Sequence, residues 1–501
     1  MSGLDSGAAF AVEGSWPVLP SERTWGAKAL FGISVSAAIA TWCFLIGGYV
    51  AYYLPAGVGT IVMIAGSLVG ILMIFMAAVP ASTKYGIDSI ASSKPQLGVR
   101  GSWISLFLLY TTVIGWNCLL LIFLGRAAAE ILIALGLAGE GARQPLVVAF
   151  GALAVVVVWA LLRGGPDTVR DTGPLIAIAV LVLGVVILAL LISKVGWSTI
   201  VHAKPSAASG DNALDVSTGF EVMVASVLSW WPYAGGMVRL CPSSRTAKWP
   251  VIFGLGLPVG LVSVIGLLSA LALPDSGGDP TTYLVKLGGV WVGVISLLFI
   301  ILANVGTVMV GVYVTTVGLK QLPGLQRRVS WNGTTAITLA PVLLIVLLFP
   351  NYFFDHIGTF LAFMGVLFAP MCGIQVVDYF FFRRQRLDVR GLYLSGRGSS
   401  YHFWGGVNPA GVLGLLAGFA TYVYLLDPVT YVSHDPFKWV TASVPSALVA
   451  AAVYALVTVA VVRPAGRGGY AAGVGDEPAA ARIPQQGRTP DGVGTQPEPA
   501  A

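Results

Sequence analysis

Charged side chains are scarce in this sequence: Asp, Glu, Lys and Arg make up 10% of its 501 residues against 56% hydrophobic, and the mean hydropathy is +0.84. So little charge cannot cover the surface of soluble domains, which excludes soluble enzymes and binding modules and leaves an integral membrane protein with the lipid bilayer as its solvent. Cysteine is scarce as well. Cys43, Cys118, Cys241 and Cys372 fall within or at the ends of apolar segments without metal-type spacing, so they read as small apolar residues and not as a disulfide framework. No P-loop, zincin or nucleophile-elbow motif is present, which leaves a membrane enzyme little to stand on, and no metal or cofactor is expected. The polar residues 1–28 contain no short apolar core of a cleaved signal peptide, so the first long apolar run reads as a true span. The net charge is +6 and the pI about 9.1, yet the basic residues are spread over loops instead of gathered on one module, so nucleic acid is not an expected partner.

What the sequence has is apolar runs long enough to cross about 30 Å of hydrocarbon. They predict twelve transmembrane helices, near 30–53, 57–79, 103–137, 146–163, 173–195, 218–237, 248–272, 288–317, 333–349, 354–381, 403–425 and 438–463. Residues 1–28 then form a cytoplasmic N-terminal segment, 29–463 the membrane domain, and 464–501, rich in Gly, Ala, Pro and Gln, a disordered cytoplasmic tail. All but six of the 28 Lys and Arg residues fall on the termini and the even-numbered loops, which predicts a multi-pass cell-membrane protein with both termini in the cytoplasm. The first helix then runs outward and the sixth inward. Small-residue pairs such as Gly66 and Gly70, Gly256 and Gly260, and Gly414 and Gly418 have the spacing that lets helices approach closely.

The chain's centre is Ser229-Trp230-Trp231-Pro232-Tyr233-Ala234-Gly235-Gly236-Met237-Val238-Arg239. It continues an apolar run, but Pro232 removes a backbone donor and Gly235-Gly236 weakens the helix, so a break is expected there. In hydrocarbon such a break persists only where it is buried in protein or lines a cavity. A kink packed by aromatics with no ligand is the plain alternative. Trp42 to Val50 repeats the pattern Trp, four residues, Gly-Gly, one residue, Val found from Trp230 to Val238, and paired interrupted spans in the two halves of a chain point to a transporter site.

At 1.5 Å per residue, Trp42 and Trp231 each lie roughly 18 Å into their helices, Trp116 roughly 20 Å and Asn304 roughly 24 Å, so all reach mid-membrane. Trp116 and the asparagines Asn117 and Asn304 also have ordinary readings, as core filler and interhelical hydrogen bonds. Their convergence with Thr41, Trp42, Trp230, Trp231, Tyr233 and Thr307 favours a substrate site, and aromatic faces with amides and no fixed charge suit a planar, neutral, hydrogen-bonding ligand. Of the acids in or near spans, Glu130 is expected to pair with Arg126 and Asp378 with the basic loop beside it. Glu221 has no evident basic partner and is the one ionisable candidate for coupling or gating, with exposure to extracellular water as its plain alternative.

Gly365-Val366-Leu367-Phe368-Ala369-Pro370-Met371-Cys372-Gly373-Ile374-Gln375-Val376-Val377-Asp378-Tyr379-Phe380-Phe381-Phe382-Arg383-Arg384, followed by Leu387-Asp388 and Leu392-Tyr393, resembles the tenth helix and following loop of the nucleobase–cation symporter-1 family, the purine–cytosine permease group. Pro20-Ser21-Glu22-Arg23-Thr24-Trp25-Gly26, Gly115-Trp116 and Trp231-Pro232 through Arg239 support it, over residues 17 to about 425. The resemblance implies a leucine-transporter-like architecture, helices 1–5 and 6–10 as inverted repeats with helices 1 and 6 broken and two helices added. It implies a secondary transporter that imports a purine, cytosine, hydantoin, allantoin or thiamine-precursor pyrimidine with protons or sodium by alternating access. By it, Trp116 and Trp231 sandwich the ring, while backbone near Thr41 and Trp42 and amides on helices three and eight read its edge. The sequence departs from the family at Gly236, where many members carry Asp, and at Leu302-Ala303-Asn304, where a hydroxyl-bearing run is usual. The second departure predicts proton-coupled or facilitated transport over sodium dependence. A non-transporting sensor or scaffold on the same fold, and an amino-acid or amine permease, stay open as alternatives, the latter disfavoured by the lack of a mid-membrane charge partner.

Overall fold

Apolar segments in a medium that offers no hydrogen bonds must satisfy their own backbone, and the helix does so within one segment. The computed structural model describes residues 16–470 apart from 165 and 395, and among these it contains helices and two isolated bridges but no strand. The main helices are α1 (Ala27–Ala38), α2 (Trp42–Val50), α3 (Ala56–Tyr85), α4 (Ser89–Leu97), α5 (Trp103–Ala134), α6 (Arg143–Leu161), α7 (Pro166–Lys194), α8 (Asn212–Leu228), α9 (Trp231–Val238), α10 (Ser244–Ala272), α11 (Leu284–Leu319), α12 (Trp331–Leu348), α13 (Ile357–Phe382), α14 (Val389–Tyr393), α15 (Pro409–Leu425) and α16 (Ser443–Val462).

Eight of the described helices are long and apolar enough to cross a membrane alone, and α1 with α2 form a ninth span bent by 61°. Helix α15, the apolar stretch Ile178–Lys194 of α7 and the halves α8 and α9 are shorter, so length and composition alone do not reach the expected twelve. The length of α11 has a local cause: Gly289 has φ +73°, a left-handed kink that sets its first turn apart from the rest.

Both expected interruptions occur, and the second lies earlier than the sequence suggested. The α8–α9 break falls at Ser229 and Trp230, ahead of both Pro232 and the Gly-Gly pair. Pro232 is the second residue of α9, where its missing N–H is one of the donors a helix start leaves unpaired, so it opens the helix instead of breaking it. Gly235 lies inside α9, where a Cβ would stand 2.4 Å from the Ser89 backbone nitrogen. The Ser89 hydroxyl donates to the Trp231 carbonyl (2.8 Å) and accepts from the Gly235 N–H (3.0 Å), inserting a side chain of α4 into one i, i+4 step of the ladder.

Helix α11 packs along α5, α2 against α10, α8 against α3, and α13 and α15 against α16. The three small-residue pairs all face neighbours: Gly66 and Gly70 face α8, Gly256 and Gly260 face α3, and Gly414 and Gly418 face α13 and α16. At the tightest crossing a Cβ on Gly47 would lie 1.9 Å from the Ser263 carbonyl, so α2 and α10 touch backbone to backbone.

The ordered chain extends past the boundary expected at 463. The Tyr470 hydroxyl bonds Asp378 (2.9 Å), and the buried Arg383 donates to Asp378 (2.7 Å), to the Gly468 carbonyl (2.8 Å) and to the Pro95 carbonyl (3.0 Å). Gly468 and Tyr470 are therefore held against the helices, and the expected tail from 471 on lies outside the described residues. The expected pairing of Glu130 with Arg126 is also corrected: Glu130 bonds Arg143, and Arg126 reaches Asp279 at 3.1 Å, because α6 and the loop before α11 bring closer partners than the next helical turn. The four cysteines are free, buried thiols.

Candidate functional site

The two interruptions lie close together. Thr41 sits at the α1–α2 bend and Trp42 opens α2, while Trp230 sits at the α8–α9 break and Tyr233 one turn into α9. Trp42 contacts Trp116 of α5 (ring centroids 5.1 Å) and Trp230 (6.4 Å), and Trp230 contacts Tyr233 (5.1 Å). These four rings, with Asn117, Ser229, Thr307, Val310 and Gly311, enclose a cavity of about 20 Å³. That is room for one water, so the rings close on each other in this conformation. Among the described residues no charged side chain lines the cavity.

Its polar groups are few. Ser229 donates its hydroxyl hydrogen to the Ser226 carbonyl (2.6 Å) and Thr307 to the Ala303 carbonyl (3.2 Å), so each presents lone pairs. The Asn117 amide nitrogen is buried without a partner, and a Cβ on Gly311 would stand 3.1 Å from the Asn117 oxygen, so the glycine leaves the amide its space. Asn304 and Thr41 do not line the cavity; the Thr41 hydroxyl donates to Asn304 Oδ1 at 2.6 Å, joining the α1–α2 bend to α11, and the Asn304 nitrogen is left without a partner. A buried amide donor without an acceptor costs about 1–3 kcal/mol, an unmet demand at the centre of the bundle.

Two expected residues are placed elsewhere. Trp231 is fully buried, its indole N–H donating to Gln375 Oε1 (2.6 Å) and its ring stacked on Phe368 at 5.8 Å, so it belongs to the contact between α9 and α13 and not to the cavity wall. One residue along a helix turns the side chain by about 100°, and the break at Ser229–Trp230 directs Trp230 inward instead. Glu221 is buried, not exposed to water. Its Oε2 accepts the Ala442 and Ser443 N–H groups, each at 3.0 Å, and its Oε1 accepts the Ser443 hydroxyl, so the carboxylate caps α16.

Sequence reasoning missed Ser229, Leu120, Val310 and Gly311. Leu120 follows Trp116 by four residues and Gly311 follows Thr307 by four, a spacing that would have found them. It also missed Phe360 of α13, whose ring meets Trp116 edge-on at 5.2 Å, a contact no spacing announces. A second cavity of about 10 Å³ follows toward the end of the bundle where α4 lies, between Pro232, Gly236 and Arg239 on one side and Asp88 and Val314 on the other.

The model of a family described as permeases for cytosine and purines, uracil, thiamine and allantoin matches residues 17–457. A hydantoin permease of Microbacterium maritypicum is 23% identical over 407 residues, 78% of this chain and 80% of that protein. A purine-uracil permease of Arabidopsis thaliana is 24% identical over 437 residues, 81% of this chain and 70% of that protein. Among solved structures, the inward-facing conformation of Mhp1 superposes with a TM-score of 0.72 at 19% identity, covering 91% of this chain and 95% of that one. Mhp1 closed around bromovinylhydantoin, described as a nucleobase-cation-symport-1 family transporter, gives 0.69 at 18% identity, covering 91% and 96%. A Na+-coupled sialic acid symporter, outward-open, gives 0.57 at 12% identity, covering 90% and 94%. With a family model that spans most of its length and a fold shared with these transporters, the chain belongs to the family of permeases for cytosine and purines, uracil, thiamine and allantoin, and is a secondary transporter and not an enzyme.

Proposed function

We propose that the protein imports a neutral, planar nucleobase-like heterocycle, bound between the rings of Trp42, Trp116 and Trp230 where the two broken spans meet. The observation that carries this reading is the cavity itself: aromatic faces, no charged wall, and an amide donor on Asn117 that lacks an acceptor. A carboxylate- or amine-bearing substrate would need a charged partner there, whereas a ring with N–H and C=O groups along its edge meets the demand. The walls as they stand hold one water, so a base enters only when they part. On one side Phe360 lies against Trp116, and Tyr431 donates to the Gly358 carbonyl at 2.7 Å, strapping the start of α13. On the other, Gly236 and Arg239 face Asp88 and Val314. Alternate opening of these two closures carries the ring across. In this reading the Asp88 side and both termini face the cytoplasm, which the distribution of Lys and Arg supports.

The coupling ion in this reading is a proton, or transport is facilitated. A sodium ion at the junction of α1, α2 and α11 needs several oxygen ligands. Before Asn304 stand Leu302, which is 38% exposed, and Ala303, neither with a side-chain oxygen, so Thr307, whose hydroxyl keeps its lone pairs, is the one hydroxyl that 302–307 offers, too few for such a site. Thermal-shift measurement of the purified protein against purines, pyrimidines, hydantoins and thiamine precursors tests the substrate class. Stabilisation by one or more neutral bases is expected; a shift with amino acids or amines alone contradicts the reading.

A further inference from the structure

Beyond the second small cavity, the bundle opens into a vestibule of about 650 Å³, well inside the range of pockets that hold drug-sized ligands. Its walls differ in kind from those of the central cavity. Trp16 stacks on Tyr393 with centroids 5.5 Å apart and planes 20° apart, and Trp103 is 61% exposed. Two cations join them, Lys94 and Arg100. Lys94 Nζ donates to the Leu392 carbonyl at 2.7 Å and lies 5.2 Å from the Tyr393 ring centre, which leaves two of its three N–H groups to spend. Among the described residues no carboxylate lines the vestibule. The acid nearby, Asp88, is engaged: Oδ1 accepts the Ala91 N–H at 2.7 Å and Oδ2 accepts the Gln321 amide. Gln321 lines the vestibule, and its Oε1 is buried behind the wall with no partner.

A neutral base has no use for two cations, and an inorganic anion has none for three aromatic rings. We propose that the vestibule is a second ligand site, for a nucleoside monophosphate. The base lies on the Trp103 face and on the face of Trp16 turned away from Tyr393, beside Gln321, and the phosphate lies on Arg100 and Lys94. An occupied vestibule blocks the way between the central cavity and the side where Lys and Arg concentrate, so the phosphorylated form of a base slows its import. That regulatory consequence rests on the transport reading above; the binding does not.

The test is calorimetric titration of the full chain in nanodiscs of zwitterionic lipid with adenosine and uridine monophosphate, ribose 5-phosphate, inorganic phosphate and free base. At least one nucleotide is expected to bind about tenfold or more tighter than ribose 5-phosphate, and Arg100→Gln to weaken it by a similar factor. Binding is expected to survive Trp116→Ala, which lies in the central cavity. The proposal is overturned if neither nucleotide binds more tightly than inorganic phosphate, if Trp116→Ala abolishes nucleotide binding, or if nanodiscs containing phosphatidylglycerol suppress it, which would make the vestibule a lipid-headgroup site. Nucleotide binding with no base bound anywhere would leave this site standing and count against the transport reading.

Discussion

Trp230 and Trp231 are neighbours in the chain and do different work. Trp230 faces the cavity with Trp42 and Tyr233, whereas Trp231 fastens α9 to α13 through Gln375 and Phe368. Stacking on a base is worth about 1–3 kcal/mol per ring, so Trp116→Ala and Trp230→Ala are expected to raise the Kd for the substrate by about 5- to 150-fold, and, since each removes a buried ring, to lower the melting temperature as well. Trp231→Phe should lower the melting temperature while substrate affinity holds, because it strands the Gln375 oxygen. Titration and thermal melting of the three purified variants separate the two patterns. Glu221 calls for a test of the same kind. Glu221→Ala leaves two backbone N–H groups and a hydroxyl at the start of α16 without an acceptor, at about 1–3 kcal/mol for each buried group. A lower melting temperature is expected, largely restored in Glu221→Gln, with uptake per folded molecule and its pH dependence unchanged; a displaced pH profile in Glu221→Gln would return this residue to the coupling step. The aromatic character and depth of the site were legible in the sequence because tryptophan and asparagine stand out in an apolar run. Which of two adjacent tryptophans faces inward was not, since that depends on where the helix stops, to within one residue.

The break itself was legible, and its position was not. Proline and paired glycines weaken a helix on average, but Pro232 opens α9 and Gly235 lets Ser89 of α4 insert its hydroxyl between Trp231 and Gly235. The insertion comes from a helix 146 residues away from Gly235 in sequence, so no local pattern reports it. The two glycines, alike in sequence, are unequal in space. A Cβ on Gly235 would meet the Ser89 backbone at 2.4 Å, whereas one on Gly236 would find its nearest neighbour, Val314, at 3.6 Å. Gly235→Ala is therefore expected to lower folded yield and uptake together, and Gly236→Ala to leave folded yield near wild type. Size-exclusion profiles and uptake of the two variants check this; equal tolerance would mean that α4 does not hold α9 as described. The helical runs, by contrast, were legible nearly throughout, because the hydrocarbon requirement is written residue by residue. The ordered stretch 464–470 was missed because its Gly-rich composition says nothing of the Tyr470 and Gly468 contacts to Asp378 and Arg383.

The molecule as a whole places one interrupted span from each half beside the other, α1–α2 and α8–α9, with α5 and α11 closing the ring around them. In the proposed reading transport is proton-coupled or facilitated, because few side-chain oxygens stand near Asn304 on α11 to hold a sodium ion. In proteoliposomes, an imposed pH gradient is expected to stimulate uptake or to leave it unchanged, and a sodium gradient alone to have no effect; strong sodium stimulation lost in Thr307→Val would show that α11 holds the ion after all. Whether the ring of tryptophans at the meeting of the two breaks carries a base across the membrane is tested most directly by counterflow. Proteoliposomes of the purified protein, preloaded with unlabelled purines, pyrimidines or hydantoins, are given the labelled compound outside. Saturable exchange of at least one neutral base, lost in Trp116→Ala protein that still folds, is the expected result, and exchange no greater than in empty liposomes for every base would contradict it.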